Sequence, residues 1–198
     1  MPFHHFIPER EGWTLEHDEL LFQNPHLEVH VVTMTSPVRP QSFKWTVCHR
    51  KGAVVVVPVT ADGKFIMVRQ ERVPIKAELW EFPAGQIDDC EEADVIRATG
   101  LREMHEEAGY ELAPGGEVMP LGHFFPSAGF TDEHSHLVLV RPVVPTASGN
   151  KPDPGEAIIG SKAFTLAEVQ AMVASGEICD ANTLTAFARI LAMGIFTL

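Results

Sequence analysis

Apolar and polar residues alternate along the first part of the chain, as they do in β-strands that bury one face. Near the N-terminus the segments LEVHVV (27–32) and FKWTVCHR (43–50) are predicted strands, and TSPVRPQS separates them. The next run, GAVVVVPVT (52–60), is too short for a typical helix and is rich in β-branched residues. The turn signal Asp62-Gly63 follows it, so we expect a hairpin of two buried strands after a small N-terminal β unit.

The first helical pattern follows the segment 73–94, in which proline and glycine favour loops and turns. Apolar residues then recur every three or four positions, as on one face of an α-helix, at Val95, Ala98, Leu101, Met104 and Ala108. Gly109 ends this pattern. Further along, HLVLVRPVV (136–144) is a predicted strand, and a polar loop rich in proline and glycine (145–157) is long enough to suggest a function.

Two further helices are predicted in the last part of the chain. Thr165 and Glu168 form a capping-box pattern at the start of the first helix, and the second covers about residues 182–193. Strands dominate the first 80 residues and helices are spread through the rest. The sequence therefore predicts a mixed α/β domain over residues 51–198, with the β unit 1–50 as an N-terminal subdomain.

Composition and charge exclude several classes of function. The chain has 198 residues, of which 45% are apolar and 21% charged, and this suits a globular protein. No apolar run approaches the roughly 18 residues of a membrane-spanning helix, and the N-terminus lacks the basic and apolar blocks of a secretory signal. A net charge of -12 disfavours nucleic acid as a partner. Three widely spaced cysteines fit a reducing compartment, so we expect a cytoplasmic protein. Because no long apolar run is present, we also expect that it does not bind membranes.

The most informative stretch is REMHEEAG, which begins at Arg102. In a helix its three carboxylates, at Glu103, Glu106 and Glu107, stand at i, i+3 and i+4 and project from one face. Such a cluster of like charges is unfavourable by itself, and Mg²⁺ or Mn²⁺ bound by these oxygen ligands would relieve the repulsion. For three glutamates alone, a solvated acidic helix face is the alternative interpretation.

The surrounding residues resemble the sequence motif of the Nudix hydrolases. That motif runs Gly, five residues, Glu, seven residues, Arg-Glu, an apolar residue, any residue, Glu-Glu, any residue and Gly. Here Gly85 and Glu91 keep the first spacing and residues 102–110 keep the last block, whereas ten residues rather than seven separate Glu91 from Arg102. The end of the motif that holds the metal ions in this family is therefore intact. The resemblance implies a Nudix α/β/α sandwich with a mixed β-sheet.

Further features resemble the branch of this family that hydrolyses ADP-ribose and other nucleoside diphosphate sugars. The element RQER resembles a strand end whose arginine, here Arg72, contacts substrate phosphates. EFPAG resembles a turn in which a main-chain carbonyl, here that of Ala84, is a metal ligand, and its Glu81 and Gly85 are substrate-binding candidates.

Two more segments resemble the same branch. PSAGFTDE (126–133) resembles a loop with a following acid, which makes Gly129 a further substrate-binding candidate. The segment GEICDANTL (176–184) resembles the junction before the last helix.

The resemblance implies a mechanism. Glu103 and Glu107, assisted by Glu106 and the carbonyl of Ala84, would bind two or three Mg²⁺ ions that clamp the diphosphate and acidify a bound water. Glu156 stands at the position of the loop glutamate that helps to deprotonate this water, and Glu133 is the alternative. Arg102 would orient the glutamates.

The expected activity is hydrolysis of a nucleoside diphosphate sugar, ADP-ribose first, to a nucleoside monophosphate and a sugar phosphate. The alternatives are another nucleotide sugar, a dinucleotide, or a catalytically silent nucleotide-binding domain. The resemblance also implies a homodimer in which the N-terminal strands cross between subunits and help to form the base site. Trp13, Trp45 and Trp80 are core residues or, for one of them, a stacking surface for the base.

Overall fold

A computed structural model of the chain describes residues 10–88, 90–153 and 155–196. Its contacts divide the chain into two compact units, of which the first comprises Met1–Lys51 with Phe125–His134. The second comprises Gly52–Phe124 with Ser135–Leu198. The first nine residues, where we expect no secretory signal, lie outside the described ranges.

The first unit contains a three-stranded antiparallel sheet in the order β1-β2-β3. Its strands are β1 (Thr14–Gln23), β2 (Leu27–Ser36) and β3 (Arg39–Arg50). Both predicted strands are present and are longer than expected, because only a tight turn at Pro37 and Val38 separates them. The sequence pattern does not reveal β1, because every residue of this strand is exposed and no buried face imposes an alternation.

The second unit is built on a seven-stranded mixed sheet with the central order β10-β5-β4-β9-β8. Strands β4 and β9 are parallel, and β6 and β7 pair with β5 and β4. The strands are β4 (Ala53–Thr60), β5 (Phe65–Arg72), β6 (Ala77–Glu81), β7 (Ala84–Gln86), β8 (Tyr110–Phe124), β9 (Ser135–Pro145) and β10 (Ile158–Phe164). The predicted hairpin is β4 and β5.

Four strands of this sheet, β6, β7, β8 and β10, are not apparent in the sequence, and for β8 the reason is a bulge. Strand β8 runs through Pro114-Gly115-Gly116, a strong turn signal. The strand continues because its pairing with β9 skips from Leu112 to Glu117, and the residues between them form a bulge. A bulge depends on the partner strand, so a local pattern does not report it.

Helices cover both faces of this sheet. They are α1 (Ala93–Glu103), α2 (Leu166–Ser175) and α3 (Ala181–Ala192). On β4, Val55 and Val57 pack in the core with α2 and α3, whereas Val54 and Val56 pack in the core on the side of α1. A strand buried on both faces reads as a continuous apolar run, which explains the sequence of β4. The expected α/β/α sandwich with a mixed sheet is confirmed.

Helix α1 lies very close to the sheet at Gly100. A Cβ added there would lie 3.2 to 3.3 Å from methyl groups of Val54, Val56 and Val138. Glycine costs about 1 kcal/mol in a helix relative to alanine, and here that cost is offset by the close packing it permits. The apolar face is rotated accordingly, because Gly100 is buried and the predicted core residue Ala98 is exposed.

The helix ends also follow the sequence signals. A π-helical turn, Met104–Ala108, continues α1, and Gly109 ends it with a φ of 73°. Helix α2 has the predicted capping box of Thr165 and Glu168. Within the described part of the chain, no helix is both long and apolar enough to cross a membrane.

Candidate active site

Three carboxylates converge beside the end of α1. Glu103, Glu107 and Glu156 each offer an oxygen that lies within 4.8 Å of the others. Glu103 and Glu107 retain only 3% and 2% of their accessible surface. The solvated acidic face is therefore excluded for these two glutamates.

Backbone close to the helix makes this burial possible. The amide of Ala84, on β7, donates a hydrogen bond of 3.0 Å to Oε2 of Glu107. A Cβ added to the next residue, Gly85, would lie 1.8 Å from Oε1 of Glu103, so only glycine leaves room for this carboxylate. Oε2 of Glu103 is buried and has no hydrogen-bond partner among the described residues.

The surroundings of the cluster disfavour the ionised forms of its buried carboxylates. Burial raises the pKa of Glu103 to about 7, although the Arg102 guanidinium opposes this shift. Burial likewise raises the pKa of Glu107 to about 8, against the hydrogen bond from the Ala84 amide. Both pKa values are raised further by the charge of Glu156. A cation among these groups would favour their ionised forms.

The donor set fits a hard divalent cation. All three groups are carboxylates, and oxygen-only ligands suit Mg²⁺, Ca²⁺ or Mn²⁺ rather than zinc or copper. A buried carboxylate oxygen without a partner is costly, and the Oε2 atom of Glu103 is such an oxygen among the described residues. A metal ligand role would satisfy it.

Glu106 lies apart from this three-carboxylate group. Arg102 donates one hydrogen bond of 2.5 Å to Glu106 and another to Glu103, so the arginine links the two glutamates. Glu91 lies before α1 and makes a 3.0 Å hydrogen bond with Nε2 of His136 on β9. Helix α1 begins at Ala93, so the enlarged interval between Glu91 and Arg102 is almost entirely helical.

The loop 145–157 brings Glu156 to the cluster, and it is anchored on both sides of this residue. Before it, the Asn150 side chain donates to the carbonyl of Glu107 at 3.2 Å, and the Lys151 amide donates to that of Glu106 at 2.8 Å. Directly after it, the Glu71 amide of β5 donates to the carbonyl of Ala157 at 3.0 Å. Two long-range anchors therefore fix the approach of a residue that is far from α1 in sequence.

Glu133, the alternative base, belongs to the first unit. Its carboxylate forms a 2.8 Å ion pair with Arg50, on β3. Gly129 also lies in this unit, and a Cβ added to it would meet no atom within 4 Å.

Arg72 and Glu81 form a two-point ion pair at the ends of β5 and β6. Nε of Arg72 donates to Oε1 of Glu81 at 2.8 Å, and Nη2 donates to Oε2. Glu81 is buried and raises the pKa of Arg72, and the charges of Asp180 and Glu107 act in the same direction. Arg72 thus lies within electrostatic reach of the carboxylate cluster.

The start of α3 supports the strand that carries Glu81. The hydroxyl of Thr183 accepts a 3.1 Å hydrogen bond from the amide of Phe82, and Asp180 caps the helix by accepting from the Thr183 amide at 2.9 Å. Burial raises the pKa of Asp180, and its Oδ2 atom has no partner among the described residues. Asp180 and Asn150 are not among the predicted site residues. The N-cap pattern before α3 is a sequence signal for Asp180, whereas no local signal marks Asn150.

Comparison with known proteins identifies the family. A family model of the NUDIX domain matches residues 49–187, which is more than half of the chain. The chain belongs to the Nudix family. The ADP-ribose pyrophosphatase of Bacillus subtilis (strain 168) is 32% identical to this Nudix protein over 165 residues, which cover 83% of this chain and 85% of the relative. A methanol dehydrogenase activator of Bacillus methanolicus is 37% identical over 101 residues, which cover 51% of each chain.

A solved structure has the same fold as this Nudix protein. The crystal structure of an ADP compounds hydrolase matches it with a TM-score of 0.75, over 92% of this chain and 94% of the other, at 17% identity. That identity supports the fold alone. The family match and the complete set of motif glutamates identify this protein as an enzyme, a Nudix pyrophosphohydrolase.

Proposed function

We propose that this Nudix enzyme hydrolyses the diphosphate bond of a nucleoside diphosphate sugar, ADP-ribose first. The products would be a nucleoside monophosphate and a sugar phosphate. The observation that carries the proposal is the buried cluster of Glu103, Glu107 and Glu156. The 32% identity to an ADP-ribose pyrophosphatase over most of both chains supports the choice of substrate.

Mg²⁺, or Mn²⁺ in its place, is the proposed cofactor. Glu103 and Glu107 would hold it with the carbonyl of Ala84, and Glu106 would assist. When bound, such an ion neutralises charge on the diphosphate and makes a coordinated water more acidic. The Oε2 atom of Glu103, which has no hydrogen-bond partner among the described residues, and the raised pKa values of Glu103 and Glu107 support this assignment, since a cation would satisfy that oxygen and favour the ionised carboxylates.

Glu156 is the proposed general base, which takes the proton from the attacking water. Its carboxylate lies beside those of Glu103 and Glu107, and its loop is anchored on both sides. A base must lie within hydrogen-bond reach of the proton it removes, and this location meets that need. Glu133 is less suited because its carboxylate is already paired with Arg50.

Arg72 is the proposed phosphate ligand. Glu81 engages its Nε and Nη2 atoms and so fixes the plane of the guanidinium, and Nη1 is not used by this pair. A planar guanidinium held by a buried carboxylate is well suited to bind an anionic oxygen. Gly85 would let the substrate and the Glu103 carboxylate approach the backbone closely.

The N-terminal unit is proposed to bind the base and to form a homodimer. It contains a cavity of about 430 Å³, lined by apolar and aromatic side chains that include Trp13, Trp45 and Phe130, and Gly129 lies in its wall. Trp80 packs against Phe164 instead, with ring centroids 5.0 Å apart. Aromatic side chains stack on bases.

Strand β1 supports the proposal of a homodimer. Large apolar side chains of this strand, Leu15, Leu20, Leu21 and Phe22, are at least half exposed. Large exposed apolar side chains are common at interaction sites. We also propose a cytoplasmic location, which the three free cysteines support.

The proposed function is tested by incubating the enzyme with ADP-ribose, ADP-glucose, GDP-mannose, UDP-glucose, a dinucleoside polyphosphate and a nucleoside triphosphate. Each reaction is run with Mg²⁺, with Mn²⁺ and with EDTA. We expect cation-dependent release of AMP and ribose 5-phosphate from ADP-ribose at the highest kcat/KM. A higher value for another compound would replace ADP-ribose as the substrate. Binding of the nucleotides without turnover of any would favour the silent nucleotide-binding domain.

A further inference from the structure

The segment 125–134 attaches to β3 although it lies between β8 and β9 in the chain. The Cys48 amide of β3 donates a 2.8 Å hydrogen bond to the carbonyl of Phe130. Cys48 also forms a parallel β-bridge with Thr131, and the amide of Asp132 donates to the carbonyl of Cys48 at 3.4 Å. A short piece of this segment is thus paired as an extra strand at the edge of the first sheet.

Asp132 is the side chain that fastens this segment. Its Oδ1 atom accepts a 3.0 Å hydrogen bond from the amide of Arg50, and its Oδ2 atom lies 2.6 Å from Nδ1 of His49. His49 and Arg50 are the last two residues of β3 and directly follow Cys48. One carboxylate therefore bridges a backbone amide and an imidazole on the same strand, and this fixes the segment in position along β3.

The fastened segment forms one wall of the aromatic cavity in the N-terminal unit. Its residues Ala128, Gly129 and Phe130 line the cavity together with Trp13 and Trp45. Phe130 is 56% exposed, and an added Cβ at Gly129 would touch nothing, so packing alone holds these residues weakly. The contacts to β3 therefore hold Ala128, Gly129 and Phe130 in place relative to Trp13 and Trp45.

We propose that Asp132 is a positioning residue for nucleobase binding, which acts by holding the segment 125–134 against β3. This inference rests on the proposed function, because it takes the aromatic cavity as the base site. Asp132 lies in the wall of the cavity itself, but both oxygens of its carboxylate are engaged by His49 and the Arg50 amide rather than offered to the base. Its effect on the base is therefore indirect.

Asp132→Ala should raise the KM for ADP-ribose about tenfold, because it removes the two hydrogen bonds that hold the segment 125–134 against β3. The kcat should change by less than about twofold, because the glutamates that carry the chemistry belong to the other unit. The affinity for AMP, measured by calorimetry, should fall by the same factor as KM rises. The affinity for ribose 5-phosphate, which has no base, should not change.

Three further variants separate positioning from a general loss of stability. Asp132→Asn should keep the KM within about threefold of the wild-type value, since the amide oxygen can accept from the Arg50 amide and the amide nitrogen can donate to Nδ1 of His49. His49→Ala removes one of the two contacts and should raise KM by an intermediate factor. Asp62→Ala is the matched control, because Asp62 also accepts from two partners, Thr60 and Lys64, but lies in the turn between β4 and β5.

The possible outcomes divide clearly. An unchanged KM and AMP affinity in Asp132→Ala would overturn the proposal, and so would an equal loss of affinity for ribose 5-phosphate. If Asp132→Ala does not fold, His49→Ala and Asp132→Asn decide by the same two affinities. Failure of the proposed function would be recognised separately, because the wild-type enzyme would then release no AMP from ADP-ribose.

Discussion

Gly85 lies so close to Glu103 that a Cβ added to the glycine would stand 1.8 Å from Oε1 of the glutamate. The motif glycine thus serves the carboxylate cluster directly, because it leaves room for a buried carboxylate against the backbone of β7.

Gly85→Ala should therefore displace the Glu103 carboxylate and lower kcat/KM at least about a hundredfold, since a misplaced group near the reaction costs this much. The affinity for Mn²⁺, followed by electron paramagnetic resonance, should fall as well. Gly160→Ala is the matched control, because an added Cβ there would meet nothing within 4 Å. Wild-type activity and Mn²⁺ affinity in Gly85→Ala would show that the carboxylate has another position in the working enzyme.

Glu107→Gln should remove a cation ligand and reduce turnover by at least about a hundredfold, while the fold is retained. Glutamine is nearly isosteric and can still accept from the Ala84 amide. Glu106→Gln should have a smaller effect, because Glu106 is paired with Arg102 outside the three-carboxylate group. Isothermal titration with Mn²⁺ and initial rates would check both variants, and equal losses would place Glu106 among the direct ligands.

Stability of the cation-free protein should fall as the pH rises. Burial holds the pKa of Glu103 at about 7 and that of Glu107 at about 8 in the folded state, above the 4.5 of an exposed glutamate. The folded state therefore binds these protons more tightly than the unfolded chain. The free energy of unfolding is highest below pH about 4.5 as far as these two groups contribute, and it decreases as the pH rises through about 8.

Thermal melting in EDTA between about pH 5.5 and 8.5 tests this dependence. Glu107→Gln should flatten the decrease, and the exposed Glu111→Gln on β8 is the matched control. Addition of Mg²⁺ near pH 8 should restore stability, because the cation favours the ionised carboxylates. Melting temperatures that rise with pH in EDTA would contradict the burial of these groups.

Glu156→Gln should lower kcat by about a hundredfold to ten-thousandfold, the range for loss of a general base, with a small change in KM. Glu133→Gln should leave kcat within a few-fold, because the Glu133 carboxylate is already paired with Arg50. Single-turnover rates with ADP-ribose distinguish the chemical step from product release. The reverse ranking of the two variants would move the base to Glu133.

Much of the fold and part of the carboxylate cluster could be predicted from local patterns. The β-branched run of β4 and the Asp62-Gly63 turn predicted the hairpin of β4 and β5, and the capping box of Thr165 and Glu168 predicted the start of α2. The spacing of Glu103 and Glu107 predicted two carboxylates on one helix face, and both belong to the observed cluster. Each of these signals concerns residues close in sequence, so side-chain chemistry and backbone preference are enough to read it.

What the tertiary structure decided involves residues far apart in sequence. It buried Glu103 and Glu107, brought Glu156 to them and left Glu106 with Arg102. It also turned the unfavourable Gly100 into the point where α1 meets the sheet. Local patterns cannot report these results, because burial, pKa shifts and close packing depend on which distant segment fills the neighbouring space. The sequence by itself determined which carboxylates are present on the helix. The fold decided which of them are buried and lie close to one another.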